Sequence, residues 1–469
     1  MRISDAQKKI KGHIPDHVQE LAGKFISSHY QVYLVGGILR DILLDRDFDK
    51  KEIDLATNAH PDDVKNIFKK VIPTGIKHGT VTVLYKTIHF EVTTFRLDGQ
   101  YSDGRHPDRI SYADTIEEDL KRRDFTINAF AYDLKDHTFI DLFKGLDDLK
   151  KGIIRTIGPP EERFKEDGLR LMRAIRFSTI LGFKIEPVTF RGIEKSIDML
   201  HHVSAERIRD ELVKILQSEK PSIGLELARA SGILRIILPE LLTGFGIDQN
   251  KFHKFDVYHH NLSTCDAAPK GNLAVRLASL FHDISKPATK QTPQDDSKES
   301  TFYNHEVIGA IVTKKILKRL KFSNEIIEKV MKLIRHHMFF YTEEWTDSAV
   351  RRFIRKVGLD LLKDLFLLRE ADRIGGGIKK GNSYHLKKLQ KHIDRILEEE
   401  NAFSLKDLKV NGHDVMKIKN IPPSSEVGTI LNYLLERVLD HPEDNEKETL
   451  KRLIREYPLQ KPSRKKNNL

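Results

Sequence analysis

The chain has 469 residues, more than one hydrophobic core commonly supports, so roughly two to four domains are expected. Its 80 Lys and Arg against 69 Asp and Glu leave a net charge of +11, which points to a polyanionic partner, nucleic acid before membrane, or to nothing more than solubility. A single cysteine, Cys265, excludes an internal disulfide and a cysteine-rich zinc cluster. No run approaches the roughly 18 apolar residues of a membrane span, and the first residues lack a signal-peptide core, so a soluble cytoplasmic protein is expected.

In chain order, one amphipathic helix is predicted first. The segment from Tyr33 to Gly158 then carries short β-rich runs, VTVLY at 81–85 and HFEVTTF at 89–95, between helical stretches. From Pro159 onward strand signals nearly vanish and apolar residues recur at helical spacing, as in RLMRAIRFSTIL and ERIRDELVKIL. Polar residues at 290–300, the glycines at 375–377 and the stretch LEEENAFSLKDLKVNGHDV mark breaks, and KPSRKKNNL closes the chain as a basic tail.

The stretch YLVGGILRDILL reads as a strand feeding a helix. Backbone N–H groups of Gly36 and Gly37 would stand at the helix start, where phosphate oxygens bind, and Arg40 one turn later can add charge-assisted hydrogen bonds. Glu52 and Asp54, at i and i+2 of the next strand, leave one face together and can hold Mg²⁺. Alternatively, the glycines make only a tight turn and the acids are solvated. Glu91, on a strand of its own, is a third carboxylate; with it the set describes a two-metal phosphoryl-transfer site.

These residues, followed by RRDFTINAFAYD (122–133), DLFKGLDDLKKGIIRTIG (141–158) and ERFKEDGLRLMRAIRF (162–177), resemble the class II tRNA nucleotidyltransferases, the CCA-adding enzymes of the polymerase β superfamily. The motifs run in family order over about the first 220 residues, and AFSLKDLKVNGHDVM is similar to the family's C-terminal segment. One departure is Glu52, where the family commonly has Asp; Glu remains an oxygen ligand, one methylene longer. The resemblance implies an α+β fold: a polymerase β-like nucleotidyltransferase head (1–158), a helical neck with the base-selecting motif (159–245), an HD-type helical body (246–380) and a helical C-terminal tRNA-binding region (381–469). It implies transfer of CMP and AMP from CTP and ATP to the tRNA 3′ end with Mg²⁺ in the head, and it assigns catalysis to Glu52, Asp54 and Glu91.

The resemblance further implies that Glu166, Asp167 and Arg170 act as an amino-acid template for the incoming base. A carboxylate accepting from an amino group beside a guanidinium donating to a ring nitrogen suits both cytosine and adenine, whereas uracil and guanine present the reverse pattern. Asp167, Arg170, Arg173 and Arg176 recur every third residue on a predicted helix, which in isolation is the pattern of a salt-bridged exposed face. By resemblance Arg173 and Arg176 contact phosphate or ribose, and Arg123 and Asp124 contact ribose and triphosphate; a helix-entry charge pair is the plainer alternative for the latter two. Residues 96–119 match the family's flexible loop, which favours CCA or terminal A addition over CC addition.

Downstream, VYHHNL, LFHDISKP, YNHEVIGA, RHHM and READRIG resemble the HD phosphohydrolase superfamily. By that resemblance His260, His282, Asp283 and Asp372 bind one divalent metal, His305 and His337 support a second, and Mn²⁺, Ni²⁺ or a similar transition ion is implied. Hydrolysis of phosphomonoesters or 2′,3′-cyclic phosphates, or a tRNA-holding body alone, are the two implied roles. An A-adding enzyme or poly(A) polymerase, and an RNA-binding protein without catalysis, are the rival readings of the whole chain. The oligomeric state is not encoded in any of these motifs.

Overall fold

The structure is a computed structural model that describes residues 1–47, 52–76, 79–97, 111–249, 254–292, 300–377, 383–398 and 403–459, with the backbone alone for residue 52. It comprises two compact units, Met1–Thr243 with Ile316–Phe322, and Gly244–Lys315 with Ser323–Leu469. Among the described residues no helix is long and apolar enough to cross a membrane.

The first unit opens with α1 (Ile3–Lys11) and α2 (Asp16–Ser27). Where the sequence predicts one helix there are two, because Gly12 closes α1 and Pro15, which has no N–H to donate, takes the cap position of α2. Next come β1 (Val32–Val35), α3 (Gly37–Leu43), β2 (Glu52–Thr57), α4 (Pro61–Ile67), β3 (Val71–Gly75), β4 (Thr80–Tyr85) and β5 (Ile88–Thr94). The short ribbon β6 (Arg96–Leu97) and β7 (Ser111–Tyr112) is followed by α5 (Ile116–Lys121), β8 (Phe130–Asp133), β9 (Phe139–Asp141), α6 (Gly145–Lys151) and β10 (Ile153–Ile154). Most of the loop expected at 96–119 falls at 98–110, outside the described residues.

One seven-stranded mixed sheet has the order β3-β4-β5-β2-β1-β8-β9, in which β2 and β5 are the parallel pair. The period-two alternation of β5 buries Phe90, Val92 and Thr94 and sends His89 and Glu91 outward. In β2, Ile53 and Leu55 are buried on either side of exposed Asp54. The register then sets Asp54 directly opposite Glu91, so packing of the apolar face dictates that the two carboxylates meet.

Beyond the sheet lie α7 (Pro160–Glu166) and α8 (Leu169–Leu181), against which the helix Ala205–Leu216 packs. One short strand persists in this helical part, Lys184–Ile185, paired parallel to β10. In the second unit the helices Val257–Ala267, Leu273–Phe281, Asn324–His336 and Leu359–Gly375 pack on one another, and Leu408 to Ile454 form a separate apolar cluster.

Candidate functional site

Buried β1 delivers the chain to Gly36, whose φ of 81° lies in the left-handed region that favours glycine. A Cβ there would stand 2.8 Å from Asp54 Oδ2, so glycine is also required by the close approach of this carboxylate. Gly36, Gly37, Asp54 and Glu91 face one cavity of about 470 Å³, within the range of small-ligand pockets. The Glu91 carboxylate makes no hydrogen bond or ion pair among the described residues, and the residue neighbours Asp54 across the parallel pair: an oxygen-only donor set suited to a hard divalent cation. The Glu52 side chain lies outside the described residues.

The remainder of the wall is cationic. Arg40, Arg96, Arg122, Arg123, Arg170, Arg173, Arg176 and Arg207 line it against four acids, Asp54, Glu91, Asp124 and Asp167, a balance that suits a polyphosphate. These arginines are held by specific partners. Asp124, 7% exposed, accepts from the Phe125 N–H at 2.8 Å, from Asn128 Nδ2 at 3.2 Å and from Arg173 Nε at 2.6 Å. Burial alone would raise its pKa, but Arg173 and Arg170 outweigh it and keep the carboxyl below its ordinary value. Asn128 Oδ1 accepts from Arg40 Nη1 at 2.7 Å, and Arg40 also donates to Asp41 through Nε and Nη2. The buried ring of Phe177 lies under the guanidinium groups of Arg40, Arg173 and Arg176, at 5.2, 5.2 and 3.9 Å.

Three sequence expectations change here. Arg40 reaches the cavity wall but spends its donors on Asp41 and Asn128, so it braces the wall as well as facing it. Asp167 is not on the helix with Arg170, Arg173 and Arg176: its backbone is extended (φ −147°, ψ 107°) between α7 and α8, because its carboxylate caps the Leu169 N–H at 3.0 Å and is forked by Arg207 at 2.8 and 3.2 Å. Glu166 is absent from the cavity lining; it ion-pairs with Arg163 at 2.9 Å and with Arg170 at 2.5 Å. Arg170 also donates to the carbonyls of Arg163 and Arg122, and Arg176 to Glu211. Arg123 reaches the cavity while ion-paired to Asp119. Asn128, Phe177 and Arg207 carry no mark in the sequence, since neither charge run nor spacing sets them apart from ordinary helix and core residues.

In the second unit, five helices and their ends bring His260, His282, Asp283, His305, His337 and Asp372 together, all buried. Nδ1 of His282, His305 and His337 donates to the carbonyls of Ser279, Phe302 and Ile334 at 2.9, 2.7 and 2.7 Å. A carbonyl only accepts, so each Nδ1 carries the hydrogen and each ring turns its Nε2 inward, as in metal-ligating histidines. Two trios, His260–His282–Asp283 and Asp283–His305–His337, have donor atoms within 4.8 Å of one another. Asp283 therefore belongs to both groups, and Asp372 Oδ1 lies 3.2 Å from His260 and 3.5 Å from His282.

Asp283 Oδ1 is buried without a hydrogen bond, although His305 and His337 Nε2 stand 3.3 and 3.8 Å away. Burial alone would raise Asp283 and Asp372, yet the neighbouring histidines, joined at Asp283 by Lys286, hold both well below the carboxylate range. Burial likewise lowers His337, to about 3, whereas at His282 the two carboxylates overcome burial and push the ring up to about 10. Two buried carboxylates thus demand positive charge among the imidazoles, and the nitrogen and oxygen donors fit a divalent transition ion.

Among known proteins, residues 32–155 match the Poly A polymerase head domain, 182–244 an RNA and SrmB-binding site of polymerase A, and 308–454 tRNA nucleotidyltransferase domain 2. In these segments the chain is similar to poly(A) polymerases and tRNA nucleotidyltransferases. It is 52% identical over 186 residues to the CCA-adding enzyme of Lactobacillus johnsonii (40% of this chain, 46% of that one) and 46% identical over 216 residues to that of Ligilactobacillus salivarius (45% and 53%). The chain thus spans about half the length of the curated relatives it matches. In fold it is similar to the Bacillus stearothermophilus CCA-adding enzyme in complex with CTP, with a TM-score of 0.71, 27% identity and 94% and 96% of the two chains covered. The fold of the Thermotoga maritima CCA-adding enzyme complexed with tRNA is similar at a TM-score of 0.57 and 19% identity, over 97% and 98%.

Because Asp124 is a buried carboxylate paired with the half-buried guanidinium of Arg173, Asp124→Ala should destabilise the protein by about 1–3 kcal/mol, and Asp124→Asn by less, in urea unfolding followed by circular dichroism. Equal stabilities for wild type and both variants would contradict the bracing role.

Proposed function

We propose that this chain adds CMP and AMP, from CTP and ATP, to the 3′ end of tRNA and releases pyrophosphate. The observation that carries the reading is the single cavity in which the Gly36 turn, the Asp54–Glu91 pair and an arginine wall converge. Asp54 and Glu91, with Glu52 two residues before Asp54, would hold Mg²⁺, which when bound activates the terminal 3′-hydroxyl and neutralises the leaving pyrophosphate. Backbone N–H groups of Gly36 and Gly37, with Arg123, Arg173 and Arg176, bind and orient the triphosphate and ribose. Asp124 keeps Arg173 aimed, and Asn128 relays the same constraint to Arg40.

For base selection, a carboxylate offers about four acceptor positions. Asp167 uses three, on two Arg207 donors and the Leu169 N–H, which leaves one for the amino group of cytosine or adenine. Arg170, set by Glu166 and two carbonyls, donates to the ring nitrogen beside it. Head, neck, body and C-terminal region are proposed at 1–158, 159–245, 246–380 and 381–469, with the basic helical part gripping the acceptor arm through its phosphates in the cytoplasm, where tRNA is matured. The match to the Poly A polymerase head keeps A-only addition or poly(A) synthesis as a second reading. The buried histidine cluster would hold Mn²⁺, Ni²⁺ or a related ion, which when bound supplies an activated water for phosphoester hydrolysis at RNA ends.

Purified protein incubated with Mg²⁺, tRNA lacking its CCA end and labelled CTP or ATP decides among the readings: both labels enter for CCA addition, AMP alone for the second reading, and neither for a non-catalytic RNA binder. Asp54→Ala should abolish incorporation with tRNA affinity nearly unchanged, while Glu52→Asp should retain activity; normal turnover by Asp54→Ala would remove the metal assignment. Arg170→Ala should lose discrimination against UTP and GTP along with rate, since a mismatched buried donor costs about 1–3 kcal/mol, and an equal slowing of all four nucleotides would contradict base reading. His282→Ala or Asp283→Ala should eliminate a transition-metal-dependent hydrolysis of 2′,3′-cyclic nucleotides and spare CCA addition. Loss of CCA addition in a folded variant would show the two sites to be coupled.

A further inference from the structure

Arg122 and Arg123 follow directly on α5, and both line the cavity of the head. Consecutive side chains at a helix end leave it about 100° apart, and two guanidinium groups repel, so the local chain does not by itself aim both at one cavity. Asp119 of α5, 1% exposed, supplies the constraint. Its Oδ1 accepts from Arg122 Nε at 3.0 Å and Nη2 at 2.6 Å, and its Oδ2 accepts from Arg123 Nη2 at 3.1 Å. Burial alone would raise the pKa of this carboxyl, but Arg122 and Arg123 outweigh it and keep it below its ordinary value.

Two features connect this carboxylate to a ligand. Arg123 meets it through a terminal nitrogen, while its Nε is buried and has no hydrogen-bond partner among the described residues. A buried guanidinium N–H on a cavity wall is costly unless an acceptor arrives with the ligand. Arg122 acts through its main chain as well. Its carbonyl accepts from Arg170 Nη2 at 2.7 Å, and the carbonyl of Lys121 accepts from Arg163 Nη1 at 3.4 Å. Carbonyls at a helix end lack intrahelical partners and attract cations. Glu166 and the Arg163 carbonyl, which also hold Arg170, belong to α7, whereas the Arg122 carbonyl ties Arg170 to the end of α5. The carboxylate that fixes the side chain of residue 122 thus steadies the carbonyl on which Arg170 rests.

We infer that Asp119 is a positioning residue for nucleotide selection, which holds Arg123 with Nε left for the triphosphate and, through Arg122, seats Arg170 against the base. The inference rests on the nucleotidyl-transfer reading of the head cavity. It adds that phosphate binding and base choice share one buried carboxylate that does not itself line the cavity. Full-length protein with Mg²⁺ and no tRNA is titrated by calorimetry with CTP, ATP, UTP and pyrophosphate, and urea unfolding is followed on the same samples. Wild type should bind CTP and ATP tighter than UTP. Asp119→Asn keeps one acceptor oxygen but sets an amide donor against the second guanidinium. It should weaken pyrophosphate and CTP about tenfold and bring the ratio of CTP to UTP affinity toward one. Asp119→Glu keeps the charge but places it one methylene further out, so it should shift both readouts in the same direction by a smaller factor.

A carboxylate that only balances buried charge would be replaced in full by Glu, and its loss would lower the urea midpoint without changing which base is preferred. A wild-type value of either readout, pyrophosphate affinity or the CTP to UTP ratio, in folded Asp119→Asn therefore overturns the inference. Should Asp119→Asn not fold, Asp119→Glu carries the same decision: lowered values of both readouts support the positioning role, and a wild-type value of either overturns it. Wild-type protein that binds no nucleotide, or binds UTP as tightly as CTP, removes the function proposed for the head and this inference with it. Normal wild-type preference with unaltered Asp119 variants removes this inference alone.

Discussion

The buried carboxylate of Asp124 is the constraint on which the head's cavity depends. It stands at the join between sheet and helix, accepting from its own following backbone, from Asn128 and from Arg173 of α8. Through Asn128 it fixes Arg40 of α3, and through Arg173 it fixes the cation-lined side of α8 above Phe177. Like charges would otherwise spread the arginines apart. A single buried anion, a carboxamide and one aromatic ring hold them together, which would lower the ordering cost of binding a polyanion.

The two sites of the chain solve opposite electrostatic problems. In the head the carboxylates are exposed on strands whose other face is core, and the surplus charge is positive, an arrangement that suits a polyanion and a hard metal ion. In the body the carboxylates are enclosed among imidazoles whose orientation is set by backbone carbonyls, with Lys286 and Arg369 as their ion-pair partners, and the mixed nitrogen and oxygen donors suit a softer cation. Separation of donor types follows from the elements used: neighbouring strands present short carboxylates side by side, whereas a helical bundle directs long imidazoles inward from several helices.

Much of this is legible in the sequence where the signal is local. The Gly36–Gly37 step, the alternation around Asp54 and Glu91, and the buried cluster positions His282 and Asp283 are each marked by residue type and spacing. What spacing does not show is the outcome of competition between partners. Asp167 shares a three-residue spacing with Arg170, yet Arg207, forty residues on, and the helix cap at Leu169 draw it off the helix. Glu166 is captured by Arg163 and Arg170, and Arg40 by Asp41, choices that local spacing permits but does not impose. Asn128 and Phe177 act only through residues distant in sequence, so no motif exposes them. The break at Gly12 to Pro15, by contrast, is written in the residues and escapes a reading of amphipathicity alone.

The most direct test of this account is a double-mutant cycle between Asp124→Asn and Arg173→Lys, read as kcat/KM for CMP incorporation into tRNA lacking its CCA end. If the buried carboxylate works by holding Arg173 on the nucleotide, the two changes share one interaction, and the double variant should lose less than the sum of the single losses, with a coupling of about 1–3 kcal/mol. Strictly additive losses would contradict the account and place Asp124 and Arg173 in independent roles.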